Sequence, residues 1–331
     1  MTTLETALVG DVTGELPKKG CRAGFGQALV ELGEQLPEVV ALTGDLADST
    51  RVAPFAEAYP KRFFDMGVAE QNMMGVAAGL AIAGKVPFLT SYATFSPGRN
   101  WDQFRVAVAY TQANVKVVGA HAGLSVGPDG ATHEALEDLA MVRVLPGVTV
   151  VVPCDYEQAR LATHALARHR GPAYIRFGRE NTPVFTTPDT PFELGRAQVF
   201  REGSDLTIVG CGPLVHEALL AAAQLAEEGI SARVVNCHTL KPLDVETLVR
   251  CAEETGAIVT VEEHQVTGGL GGAVAEALGE HRPTPMERVG MPDSFGESGK
   301  AAELLEKWGL TAPAIVRKAK SVVARRMKGL D

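Results

Sequence analysis

Short, β-branched, almost wholly apolar runs alternate with longer Ala/Leu/Glu-rich stretches along nearly the whole chain. A strand that is apolar on both faces must be covered on both, and parallel sheets flanked by helices provide that cover. The fold class is therefore α/β. In the first part, strands are expected at VVALTGD (39–45), VPFLTSY (86–92), VKVVGA (115–120), VTVVVP (148–153) and AYIRF (173–177), and FFD before Gly67 is strand-like. Between them GFGQALVELGEQL, EQNMMGVAAGLAIAG and YEQARLATHALARH have helical periodicity. Around TPVFTTPDTPFELG (182–195) the helical signals vanish and prolines cluster, so the chain reads there as an extended linker. The alternation then resumes through DLTIVGCG, HEALLAAAQLAEEG, ARVVNCHTL, a helix from about Asp244, AIVTVEEH and GGAVAEALGEH. With 331 residues, more than one domain's usual ~100–200, the expectation is two domains, 1–190 and 191–331. Each is a mostly parallel sheet covered by helices.

A net charge of −9 opposes a nucleic-acid backbone. The one basic run, Arg317 to Lys328, carries six cations interleaved with Ile315, Val316, Val322 and Val323 at helical spacing. No aromatic or recognition motif accompanies it, so it reads as the solvated face of a terminal helix, and no nucleic-acid partner is expected. The five cysteines are dispersed without metal-ligand spacing and read as buried thiols in a reducing compartment. The start of the chain has no basic-then-apolar leader, and no apolar run reaches the ~18 residues of a membrane span. The expected location is cytoplasmic, with no membrane partner.

FFDMGVAEQNMMGVAAGLAIAGK turns at Gly67 and enters a helix with Glu70 in its first turn. Taken alone, an acid there is favoured by the helix macrodipole, commonly by ~0.3–1 kcal/mol. Gly75, Ala78, Gly79 and Ala83 add something else: glycines cost helix propensity unless another surface packs closely against the backbone. The segment GVAEQNMMGVAAGLA resembles the glutamate-bearing helix of the pyrimidine-binding domain in transketolase and related thiamine enzymes. The resemblance implies that Glu70 meets a ring nitrogen of thiamine diphosphate across a subunit interface and stabilises the tautomer that takes the thiazolium proton.

Beyond the 86–92 strand, LTSYATFSPGRNWDQFR offers Tyr92, Phe95, Trp101 and Phe104. Aromatic residues at a strand end are commonly core, the reading kept for Tyr92 and Phe104. Phe95 stands where the family stacks its pyrimidine. Gly98 replaces a second family aromatic, and Trp101 matches the third. GAHAGLSVGPDGATHEALEDLA then places His121, Asp129 and His133 in a Gly-rich loop after a parallel strand, where open α/β sheets bind ligands. Metal ligation is the rival reading of two such histidines, but the spacing fits no common zinc pattern, and no metal ligand is assigned. The loop resembles the transketolase segment DGPTH, with Ala131 in place of proline. The resemblance implies that His121 and Asp129 hold sugar hydroxyls, while His133 sits beside the reacting carbon and assists proton movement. It also matches Arg22, Ser49 and Arg179 to a sugar-phosphate clamp and Asp45 to the acid near the thiazolium. Read singly, each arginine is a surface ion-pair former.

GGLGGAVAEAL (268–278) lacks the lysine and hydroxyl of a phosphate loop. With VEEH and LKPLD it resembles the transketolase C-terminal domain. No Gly-Asp-Gly followed by asparagine occurs at the family's spacing, since Asp129-Gly130 belongs to the substrate loop. The implied arrangement is a split transketolase in which an N-terminal subunit carries the diphosphate site and Mg²⁺, joined as α2β2. Two readings compete: the β subunit of a 2-oxo-acid dehydrogenase, which has the same domain order, and a non-catalytic binding subunit of the same fold.

Overall fold

A computed structural model describes residues 8–328, with side chains through Arg326. Lys328 of the basic run therefore lies in a described helix while its side chain does not. The first part contains β1 (Lys18–Lys19), β2 (Val39–Thr43), β3 (Phe63–Asp65), β4 (Val86–Tyr92), β5 (Lys116–Ala120), β6 (Thr149–Val151), β7 (Ala173–Arg176) and β8 (Thr182–Pro183). After them come β9 (Gln198–Arg201), β10 (Leu206–Gly210), β11 (Ala232–Asn236), β12 (Thr239–Lys241), β13 (Ile258–Gln265) and β14 (Met286–Met291). The first sheet runs β12-β6-β7-β5-β4-β2-β3 and the second β14-β13-β10-β11-β9, while β1 and β8 form a small antiparallel ribbon. Apart from the antiparallel edge pairs β12 with β6 and β9 with β11, both sheets are parallel. The architecture is that of two mostly parallel sheets flanked by helices. Its central strands are buried throughout, mostly apolar but including Lys116, Arg176, Arg233 and Asn236.

Two features depart from the sequence reading. ARVVNCHTL is not one strand: β11 stays in the second sheet, and the chain crosses at Cys237–His238 so that β12 closes the edge of the first. The transfer is secured by the Val152 N–H donating to the His238 carbonyl at 2.8 Å. The same boundary is crossed by the core, where Val150 and Val152 share one cluster with Val209, Val235 and Leu240. The expected linker is likewise structured. Phe185 is fully buried, and the Asp155 carboxylate accepts the N–H groups of Phe185 (2.8 Å) and Thr186 (2.7 Å). It also accepts Gln158 N–H at 3.0 Å, so one acid both caps the helix Tyr156–Arg168 and pins the connection.

The edge strands β9 and β14 escaped the sequence reading because only some of their side chains are buried, which leaves no continuous apolar run. At the other end, the basic run is spent within the second domain. Ile315 and Val322 are buried, Lys318 and Arg325 pair with Glu287 at 2.9 and 3.1 Å, and Arg326 donates to the carbonyls of Asp205 and Thr255. All five cysteines are buried and unpaired, and no described helix is long and apolar enough to cross a membrane.

The helix Cys21–Gln35 crosses Tyr156–Arg168 closely enough that a Cβ on Gly24 would run into the Tyr156 carbonyl oxygen. Gly24→Ala is therefore expected to destabilise the chain by ~1–3 kcal/mol, since the backbones would have to separate. Urea unfolding measures this, and an unshifted midpoint would contradict the close approach.

Candidate active site

Strands β7, β5, β4 and β2 are consecutive neighbours in one parallel sheet, so their carboxyl ends open on one edge. Arg179 follows β7, His121 follows β5, Tyr92 and Phe95 close β4, and Asp45 and Ser49 follow β2. The helix Cys21–Gln35, which leads back toward β2, starts at the same edge, and Arg22 Nη1 donates to the Ser49 carbonyl at 3.0 Å. The expected residues thus come from separate turns that a single sheet brings together.

Glu70 begins the helix Glu70–Ile82 and is only 3% exposed. Its carboxylate receives Ser91 Oγ at 3.4 Å and pairs with Arg99 Nη1 at 3.4 Å, while Asn100 Nδ2 holds its backbone carbonyl at 3.3 Å. The Arg99 guanidinium also lies over the Phe95 ring, 4.0 Å from its centre. One planar cation therefore covers both an acid and an aromatic face, beside a cleft of about 460 Å³ lined by Val68, Ala69, Glu70, Gln71, Asn72 and Arg99. A flat heterocycle needs those same two surfaces. Arg99 was not singled out in the sequence; its only local signal is the spacing of four from Phe95, realised as Arg99 N–H donating to the Phe95 carbonyl.

The second half of the site is an aromatic and imidazole stack. Tyr92 stacks on His121 at 4.0 Å between centroids and on Phe95 at 5.9 Å, and His133 meets the Phe95 ring edge-on at 5.4 Å. Tyr92 is thus part of the site and not the core residue it was read as, whereas Phe104 is fully buried core. Trp101 is turned elsewhere: it packs against the main core and donates its indole N–H to the Met141 carbonyl at 3.0 Å. Asp45 is exposed, with left-handed backbone (φ 63°) whose N–H is held by Asp65 at 3.0 Å.

His121 is also left-handed (φ 52°), and its Nδ1 is buried without a partner among the described residues. Burial, then the positive charges of Arg22 and Arg179, then His133 and Arg51, push its pKa down to about 3. It is therefore a neutral imidazole that can both donate to and accept from a hydroxyl. Arg22 itself is held below the ordinary arginine range by burial, then by Arg51 and Arg179. Three guanidinium groups thus crowd one corner. Asp129 and Glu180 offset them in part, with Arg179 Nη1 3.5 Å from Asp129 Oδ1 and 3.1 Å from the Val126 carbonyl, and Glu180 acting on Arg22. Such an unbalanced positive corner suits a tetrahedral oxyanion. Arg51, with left-handed backbone (φ 65°), was missed in the sequence because nothing local separates it from a surface arginine.

Among the described residues, no group of three or more His, Cys, Asp and Glu side chains is arranged to hold a metal. On the outer face of the Glu70 helix, no heavy atom lies within 4 Å of where a Cβ would stand on Gly75 or Gly79. Near that face, Val68, Ile82, Val106 and Tyr110 are exposed apolar side chains.

Residues 18–184 match the transketolase pyrimidine-binding domain and residues 195–315 the transketolase C-terminal domain. The chain is 45% identical, over 94% of its length and 97% of the relative's, to a 6-deoxy-6-sulfo-D-fructose transketolase subunit of Clostridium sp. (strain MSTE9). It is 40% identical to an apulose-4-phosphate transketolase subunit of Phocaeicola vulgatus, over 92% and 98% of the two chains. Among solved structures it is similar to one described as a split gene transketolase, inactive beta4 tetramer, at TM-score 0.87 and 49% identity, covering 92% of this chain and 98% of that one.

Proposed function

Because the chain belongs to the transketolase family, we propose that it is the C-terminal subunit of a two-subunit transketolase that moves a two-carbon ketol unit between sugar phosphates. The observation that carries this reading is the meeting, on one sheet edge, of a buried acid beside an aromatic face with a neutral histidine and a cluster of arginines. Relatives of the same span are named as subunits, which supports a separately encoded N-terminal partner bringing the diphosphate-binding domain and Mg²⁺. The free apolar and glycine face beside Glu70 is where we place the subunit contact, in an α2β2 assembly. The division at 190/191 falls between the two matched domains and is kept, although β12 reaches across it.

Thiamine diphosphate, when bound, supplies a nucleophilic thiazolium carbon. In this chain Glu70 would hold a proton at the aminopyrimidine ring nitrogen, and the fit of the Arg99 guanidinium between Glu70 and Phe95 supports a planar group there. Asp45 is assigned to the thiazolium side, while Trp101, whose indole N–H is given to the Met141 carbonyl, is left out of the pyrimidine slot. His121 and Asp129 would orient sugar hydroxyls, and His133 would carry a proton to or from the substrate oxygen. Ser49, Arg22 and Arg179 would bind the terminal anion; Arg51 joins them. A phosphate and a sulfonate are both tetrahedral oxyanions, so the anionic group of the sugars named for either relative suits this corner.

The decisive experiment mixes the purified chain with a protein matching the diphosphate-binding domain of transketolases, thiamine diphosphate and Mg²⁺, and assays xylulose 5-phosphate with ribose 5-phosphate. Turnover only with both chains is expected. Decarboxylation of 2-oxo acids with no ketol transfer would overturn the assignment. In the active complex Arg179→Ala should lose about 1.5–3 kcal/mol of anion binding, or roughly 10–100-fold in KM, with kcat little changed. An unchanged KM for every phosphorylated sugar tested would remove Arg179 from the clamp.

A further inference from the structure

Glu134 immediately follows His133, and its carboxyl group is in an unusual position. The residue is 4% exposed, and neither Oε1 nor Oε2 has a hydrogen-bond partner among the described residues. Glu263 faces it from β13 and Glu297 from the segment after β14; burial first, then these two charges, raise its pKa to about 7. That second segment touches it directly, since a Cβ on Gly296 would run into Glu134 Oε2. Glu263, itself buried, is tied to the same loop by accepting the Ser125 N–H at 2.5 Å.

The nearby cations are committed elsewhere. Arg176 Nε is bound to Asp138 and its Nη2 to the carbonyls of Ala135 and Glu263. Lys307 pairs with Glu297, and Arg179 serves Asp129 and Val126. His133 bonds Thr132 Oγ1 through Nδ1 at 2.9 Å. An ionised Glu134 would thus be a buried charge with no donor, opposed by two more carboxylates, a state that proteins avoid by keeping the proton.

We propose that Glu134 is a positioning residue that works in its protonated form, seating the 121–134 loop against β13 and the 292–299 segment. On ionisation it loosens that seat, displacing Asp129 and His133. The seating is a property of this chain alone; its link to catalysis rests on the function proposed above.

The folded chain holds this proton more tightly than the unfolded chain, whose glutamate titrates near its ordinary value of 4.5. The contribution to stability is therefore fully present below about pH 4.5 and is lost as pH rises through about 7. Glu134→Gln cannot ionise and removes that dependence. Thermal unfolding of the full chain should show little difference between wild type and E134Q near pH 5, and a Tm about 2–4 °C higher for E134Q near pH 8. Parallel Tm profiles would overturn the proposal.

Should E134Q fail to fold, wild-type amide exchange in residues 121–134 provides the second readout. After correction for intrinsic rates it should be several-fold faster near pH 8 than near pH 6, and equal protection would overturn the proposal. In the assembled enzyme, KM for the sugar should climb above about pH 7 in wild type and stay flat in E134Q. The Tm difference without any sugar turnover would uphold the seat while rejecting the functional assignment.

Discussion

Glu70→Ala is expected to lower kcat of the assembled enzyme by about 10²–10⁴-fold, the range a positioned acid–base group supplies, while leaving the fold intact. The reason is geometric. The carboxylate is 3% exposed at the first turn of its helix, held by Ser91 and by the Arg99 that lies over the Phe95 ring. Steady-state assays with saturating cofactor measure the effect, and circular dichroism checks the fold. Arg99 is 49% exposed along its side chain, so it can turn to water when its partner is lost, and stability should change little. Retention of more than a tenth of wild-type kcat would mean that Glu70 is only a helix-start acid.

The largest loss of stability is expected from the ion pair behind the site. Arg176 and Asp138 are 3% and 2% exposed and bonded at 3.0 and 3.2 Å, and Tyr174 Oη adds a donor to Asp138 at 2.8 Å. Arg176 also gathers the carbonyls of Ala135 and Glu263, joining the end of the 121–134 loop to the second domain. Asp138→Ala would leave a buried guanidinium without its paired carboxylate and should cost about 3–5 kcal/mol, seen as a Tm lower by roughly 4–7 °C. Replacing both partners with apolar residues of similar volume should be milder than either single change, because no charge is then stranded. Equal and small effects from all three variants would show that the pair carries no more than a surface bridge.

Much of the architecture was legible because it is written in contiguous residues. The apolar runs at 39–43, 86–92 and 116–120 are strands, and the Ala/Leu-rich segments between are helices. A parallel sheet then puts every strand's carboxyl end on one edge, where the turns carrying Glu70, Phe95, His121, Asp129, His133, Arg22 and Arg179 could be matched to family motifs residue by residue. Trp101 was legible only as a residue type; whether its indole faces a slot or the Met141 carbonyl depends on how a short helix packs.

Arg51 carries no local mark of function, and the marks on Arg99 and Tyr92, a spacing of four from Phe95 and a strand-end ring, do not tell a site residue from a structural one. They enter the site because charge and ring contacts form between turns that lie far apart in the chain. The crossing of β12 into the first sheet belongs to the same class, since a three-residue strand with one apolar side chain, Leu240, does not specify which edge it will pair with. Periodicity and turn chemistry act over a few residues, so the sequence by itself determined the elements, their order and the chemical types available at the strand ends. Convergence of guanidinium groups, the unpartnered carboxyl of Glu134 and the joining of two domains through one core depend on long-range packing, and only the tertiary structure decided them.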